Sequence, residues 1–148
     1  MILGDLVMFR KMVNMLSSKV FIKVRYQETD QMGVVYHGNY FTWFEVSRIE
    51  LLDQLGCRYR DLEKEGFMLP VLHCEAKFLM PARFDDSLEV IATIGEIPRA
   101  RITISYEVTR GADLLARGQT VHAFTDTSGK LVRPPERFLQ ASSRHSTN

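Results

Sequence analysis

Between Tyr26 and Tyr40 the chain reads Tyr-Gln-Glu-Thr-Asp-Gln-Met-Gly-Val-Val-Tyr-His-Gly-Asn-Tyr, and this segment concentrates its chemistry. Asp30 stands four residues after Tyr26 and seven before His37. A carboxylate can attack an electrophilic carbon or take a proton from water. Glycine lacks a Cβ and reaches positive φ, so Gly33 and Gly38 allow the backbone to approach a ligand closely. From Asn39 onward the composition is helical, and a helix start presents unpaired N–H groups with a partial positive charge. A carboxylate facing such donors is a kit for attacking a carbonyl and holding the resulting oxyanion. Aspartate is also common in loops for turn hydrogen bonds alone, so Asp30 by itself assigns no reaction.

The elements that must position these residues are legible from periodicity. Val20, Ile22, Val24 and Tyr26 alternate with Phe21, Lys23 and Arg25, which predicts a first strand ending at Tyr26, with that ring packed among its apolar neighbours. Asn39 to Leu55 predicts a helix about 25 Å long. Phe41, Trp43, Phe44, Val46, Ile49, Leu51, Leu52 and Leu55 cover more than one stripe of it, so burial on more than one side is expected. Gly56 supplies a stop, and Tyr59 to Glu65 reads as a short helix ended by Gly66. The period then becomes two: Leu72 to Met80, Glu89 to Ile94, Arg101 to Thr109 and about Leu114 to Thr125 read as strands, separated by turns at Pro81 with Asp85-Asp86, at Pro98, at Gly111 to Asp113 and at Asp126 to Gly129. Short connections argue for antiparallel pairing. One helix with a mostly antiparallel five-stranded sheet around it is an α+β arrangement.

Composition narrows the function. At 148 residues the chain is one domain with a usable core. Nineteen basic against eighteen acidic residues give no electrostatic case for nucleic acid or a membrane surface. No apolar run approaches the roughly 20 residues of a membrane span. Cys57 and Cys74 are too few for a disulfide framework, so a cytoplasmic setting is expected. Residues 1–18 read as an N-terminal extension, with Met12 and Met15 as alternative starts, and 136–148 as a flexible tail. His73, Cys74 and His122 invite a metal, but adjacent strand residues face opposite sides, and no ligand spacing supports one. Glu45 and Arg48, three apart on the helix, pair with each other or hold a carboxylate in reserve.

The element order and the Tyr26–Tyr40 segment resemble the hotdog-fold acyl-CoA thioesterases, in the branch of 4-hydroxybenzoyl-CoA thioesterase and the Tol–Pal-associated thioesterase. The resemblance covers residues 19–135. It rests on Tyr26, Thr29-Asp30, Gly33-Val34-Val35, Tyr36-His37, Asn39-Tyr40, Phe44-Glu45, Arg48, Leu69-Pro70-Val71, Asp85-Asp86, Arg110, Gly118 and Arg133-Pro134. It implies hydrolysis of an acyl-CoA to a carboxylic acid and CoA, with no cofactor or metal. By the same resemblance, Asp30 is expected to act as nucleophile or as base toward water, and the backbone N–H of His37 to polarise the carbonyl beside Gly38. The resemblance to the Tol–Pal branch further implies that the side chains of Tyr26 and His37 belong to the active site. The resemblance also implies a homo-oligomer, a dimer or a dimer of dimers, joined sheet edge to sheet edge.

Three further expectations concern substrate. Trp43, Phe44 and Met68 are candidates to line the acyl pocket. Arg99 and Arg101, two apart and so on one strand face, sit at a turn resembling the region that contacts CoA phosphates. The same fold also serves hydratases, dehydratases and non-catalytic acyl-CoA-binding proteins. Retention of Asp30 beside the glycines favours hydrolysis over both.

Overall fold

The computed structural model describes residues 16–95 and 100–143. Five strands, β1 (Leu16–Lys23), β2 (Val71–Phe78), β3 (Ser87–Ile94), β4 (Ile102–Arg110) and β5 (Asp113–His122), form one antiparallel sheet in the order β1-β3-β4-β5-β2. The long helix α1 (Gly38–Gln54) lies against it, followed by α2 (Tyr59–Lys64) and, at the C-terminal end, α3 (Glu136–Ser143). The predicted α+β architecture is the one observed, as is the predicted order of the five strands and the first two helices.

Strict alternation in β3 and β4 turns Leu88, Val90, Ala92, Ile94, Ile102, Ile104, Tyr106 and Val108 inward. Helix α1 answers with Tyr40, Trp43, Phe44, Ser47 and Leu51, all buried on the one face where residues three and four apart align. Burying a side chain such as Phe44 contributes about 1.5–3 kcal/mol. The Phe44 ring stacks on Tyr106, centroids 4.4 Å apart, and lies where Gly118 leaves room: a Cβ there would meet Phe44 Cε2 at 2.2 Å. The Ser18 hydroxyl donates to the Ser47 carbonyl and the Ser47 hydroxyl to that of Val90, tying β1, α1 and β3 together. Gly56, at φ +72°, ends α1 in the left-handed region that glycine tolerates best.

One core polar chain is fully directional. His122 is completely buried, its Nδ1 lies 3.4 Å from the Leu69 carbonyl and its Nε2 lies 2.8 Å from the Thr120 hydroxyl. A carbonyl only accepts, so Nδ1 bears the proton and Nε2 accepts from Thr120. The Thr120 hydroxyl, having donated, accepts from the Tyr106 hydroxyl at 2.7 Å, and Arg48 of α1 approaches Tyr106. Burial, and then the Arg48 charge, push the His122 pKa down to about 4, so the imidazole is neutral.

Several expectations need correction. β1 starts at Leu16, paired with Ile94, so the boundary drawn after residue 18 falls inside a strand; residues 1–15 of the expected extension lie outside the described residues. The strand ends at Lys23, because Tyr26–Glu28 winds into a single 3-10 turn, and Tyr26 is 77% exposed rather than packed in the core. Helix α1 buries one face in the single chain, leaving Val46 and Ile49 exposed. β2 is an edge strand with both faces largely open. The expected flexible tail begins instead with α3: Phe138 is fully buried against Phe124, ring centroids 5.2 Å apart, and Arg137 pairs with Glu65. One aromatic anchor outweighs the polar composition around it; residues 144–148 lie outside the described residues.

Candidate active site

After β1 the chain is held by Val24, whose N–H and C=O bond Asp86 and Asp85 respectively, and then makes its 3-10 turn. Thr29 bridges to Val35, the Asp30 N–H donates to the Val34 carbonyl at 2.9 Å, and the Gly33 N–H returns to the Asp30 carbonyl at 3.0 Å. Gly33 sits at φ +76°, the left-handed conformation this tight reversal needs. The Val35 N–H bonds the Ala82 carbonyl at 2.8 Å, fastening the loop to the segment beyond β2. Asp30 is therefore placed by backbone bonds on both sides. Its Oδ1 accepts from the Met32 N–H at 2.9 Å, while Oδ2 has no hydrogen-bond donor among the described residues. One oxygen fixes the carboxylate and the other is available.

Helix α1 begins at Gly38, preceded by His37 in helical conformation. No side chain caps it, and its first turn has no acidic residue. The Asn39 and Tyr40 N–H groups are taken by the Tyr36 and His37 carbonyls, whereas the His37 and Gly38 N–H groups meet no acceptor among the described residues. Gly38 is not in the left-handed region; its role is close approach, since a Cβ there would lie 2.8 Å from Tyr36 Cε1. The His37 imidazole is exposed and packs on Tyr36, centroids 4.4 Å apart.

Asp30 and His37 share the wall of one cleft of about 310 Å³, completed by Met32, Val34, Val35, Tyr40, Phe78, Leu79, Met80 and Pro81. A carboxyl group thus lines an apolar trough beside an uncapped helix start. Burial raises the Tyr40 phenol pKa, keeping its hydroxyl protonated and able to donate. A larger depression of about 480 Å³ on the other side of the sheet, among Glu75, Lys77, Ser105, Glu107, Arg117 and Gln119, contains none of the predicted site residues.

The other predicted residues lie elsewhere. Tyr26 does not line the cleft; its ring meets Phe84 edge-on at 5.4 Å on the surface. Trp43 is only 2% exposed and packs in the core on Tyr40 at 4.8 Å, so it forms no wall of the cleft. Phe44 is equally buried, and Met68 is engaged with Thr125 through backbone bonds. Arg101 is exposed at the head of β4, and Arg99 lies outside the described residues. Glu45 points outward and meets Arg48 at 3.8 Å. His73 and Cys74 are exposed on β2, far in role from the buried, hydrogen-bonded His122. Sequence reasoning missed Tyr40 and Glu28. Arg25-x-x-Glu28 was the available signal, a carboxylate three residues after an extended residue, the spacing by which a side chain caps a helix start.

Five antiparallel strands against one long helix, with a strand-to-helix loop at the mouth of a cleft, define a hotdog fold. Residues 24–142 match the model of the family described as Thioesterase-like superfamily, and the chain belongs to that family. It is 36% identical over 110 residues to a Bacillus subtilis protein named "Putative acyl-CoA thioesterase YneP", covering 74% of this chain and 80% of that one. Among solved structures it resembles a DHNA-CoA thioesterase from Staphylococcus aureus, with 31% identity, a TM-score of 0.83 and coverage of 88% and 91% of the two chains. It likewise resembles the hypothetical protein TT1821 from Thermus thermophilus, with 37% identity, a TM-score of 0.80 and coverage of 86% and 96%. No helix among the described residues is long and apolar enough to cross a membrane.

Proposed function

We propose that this protein hydrolyses acyl-CoA thioesters at the cleft between Asp30 and the start of α1. The observation that carries this reading is a carboxylate with one oxygen, and two backbone N–H groups, left without hydrogen-bond partners among the described residues around one apolar trough. The thioester oxygen accepts from the His37 and Gly38 N–H groups, where the helix dipole favours developing negative charge. Asp30 Oδ2 attacks the carbonyl carbon, the C–S bond breaks, and CoA leaves as thiolate. Water then cleaves the mixed anhydride, releasing the carboxylic acid and restoring Asp30. The same placement serves a second route in which Asp30 takes a proton from the attacking water. Tyr40, Phe78, Leu79 and Met80 receive the acyl group, and Arg101 remains a candidate for the CoA phosphates.

A second copy of the chain completes the trough in this reading. β2 has one edge paired with β5 and the other open, and it exposes Leu72 and Phe78, followed by Leu79 and Met80. Association through β2 therefore covers apolar surface beside the cleft.

Thiol release over a panel of aliphatic and aromatic acyl-CoA substrates tests the proposal. Asp30→Asn should lower kcat about a hundredfold or more while the protein stays folded. His37→Ala keeps the backbone donor and should cost less. Wild-type kcat in Asp30→Asn would refute the mechanism.

A further inference from the structure

We infer that Glu28 is a positioning residue, a buried clamp that sets Asp30 against the start of α1. This rests on the reading of the cleft given above. Glu28 is 5% exposed, and a carboxyl group so removed from water is unfavourable unless its partners compensate. Each part of it is engaged. Oε1 accepts from the Arg25 N–H at 2.8 Å and faces the Arg25 guanidinium at 3.3 Å. Oε2 accepts from the Trp43 indole N–H at 2.8 Å. Its backbone carbonyl accepts from the Tyr36 N–H at 2.9 Å and from the Asn39 side-chain amide at 2.8 Å.

These bonds have one geometric consequence. Trp43 lies one turn and a half inside α1, Asn39 lies in its first turn, and Asp30 is two residues beyond Glu28. The stretch from Glu28 to Tyr36 leaves and re-enters at the same residue, since the Tyr36 N–H closes on the Glu28 carbonyl. Asp30 sits within that closed stretch and the uncapped N–H groups sit immediately after it. Glu28 thus ties the carboxylate side of the cleft to the oxyanion side without lining the cleft itself. A misplacement of about 1 Å between reacting groups can cost about a hundredfold in rate, so a rigid tie of this kind acts on turnover rather than binding.

Glu28→Gln tests the clamp. Glutamine keeps the shape, but its NH2 must face either the Arg25 or the Trp43 donor, so one of the two ties is lost. Trp43 is the only tryptophan in the chain, so its emission reports that bond directly. The expected result is a tenfold or greater fall in kcat with KM within about twofold, a changed Trp43 emission, and faster amide exchange at Gly33 and Tyr36 in protein that is folded by circular dichroism. A general loss of stability would instead raise exchange throughout the sheet and leave kcat per folded molecule unchanged, overturning the proposal. Should Glu28→Gln fail to fold, Asn39→Ala removes only the tie to the Glu28 carbonyl, and it should lower kcat severalfold with KM and Trp43 emission unmoved; wild-type kcat there overturns the clamp. If the wild-type protein hydrolyses no acyl-CoA, the functional reading fails by itself. The clamp is then decided by exchange at Gly33 and Tyr36, where faster exchange in either variant supports it and unchanged exchange refutes it.

Discussion

Acidification should destabilise this protein through His122. The imidazole is fully buried, bonded to Thr120 and Leu69, and close to Arg48, with its pKa pushed from 6.5 down to about 4. Because the folded value lies below the unfolded one, the unfolded chain binds the extra proton between pH 6.5 and 4, and acid favours unfolding across that window. Each pH unit is worth about 1.4 kcal/mol, so the interval from 6.5 to about 4 amounts to about 3 kcal/mol at most. That is a large share of a typical domain's 5–15 kcal/mol. Urea unfolding at fixed protein concentration, at several pH values from 7.5 down to about 4.5, measures it against His122→Gln, which does not titrate but can still accept and donate. Wild type should lose about 2 kcal/mol more than the variant between pH 6.5 and 4.5. Asp86 contributes outside that window. Burial opposes its ionisation, but bonds from the Arg83 N–H and the Arg110 guanidinium outweigh this and hold its pKa below the usual carboxylate range, so its contribution is lost only in stronger acid. A wild-type and variant stability difference constant with pH would refute the neutral, hydrogen-bonded imidazole.

Gly118→Ala places a Cβ about where the Phe44 ring lies, at 2.2 Å, and should cost roughly 1–3 kcal/mol or more as the Phe44–Tyr106 stack moves; an unchanged Tm would show that the helix and sheet yield more easily than this packing implies. Light scattering at micromolar concentration should find a dimer or higher oligomer, given the open β2 edge, and a stable monomer would remove the second copy from the proposed site.

How much was legible beforehand depended on whether the information was local. Period-two alternation from Ile102 to Val108 named a strand and its buried face, whereas the apolar residues of α1 cover more than one stripe and did not single out the face of Tyr40, Trp43, Phe44 and Leu51 that meets the sheet. Asp30, Gly33 and His37 were legible because one short loop contains them all, and its turn chemistry places Asp30 without help from distant strands. Tyr26 was misplaced because alternation continues past Lys23 in sequence, while the backbone has already turned into a 3-10 helix closed by Glu28. Phe138 looked like part of a polar tail because its partner, Phe124, follows a different strand.

The sequence by itself determined the order of the five strands and the first two helices, the antiparallel sheet, and the joining of Asp30 and His37 by one short loop, since these follow from periodicity, turn residues and short connections. Only the tertiary structure decided that Trp43 bonds a buried Glu28 instead of lining the cleft, that His122 is neutral in the core, and that β2 stands open at the edge. Each of those depends on which distant groups exclude water from one another, and neither burial nor the partner of a buried charge is encoded at any one position of the chain.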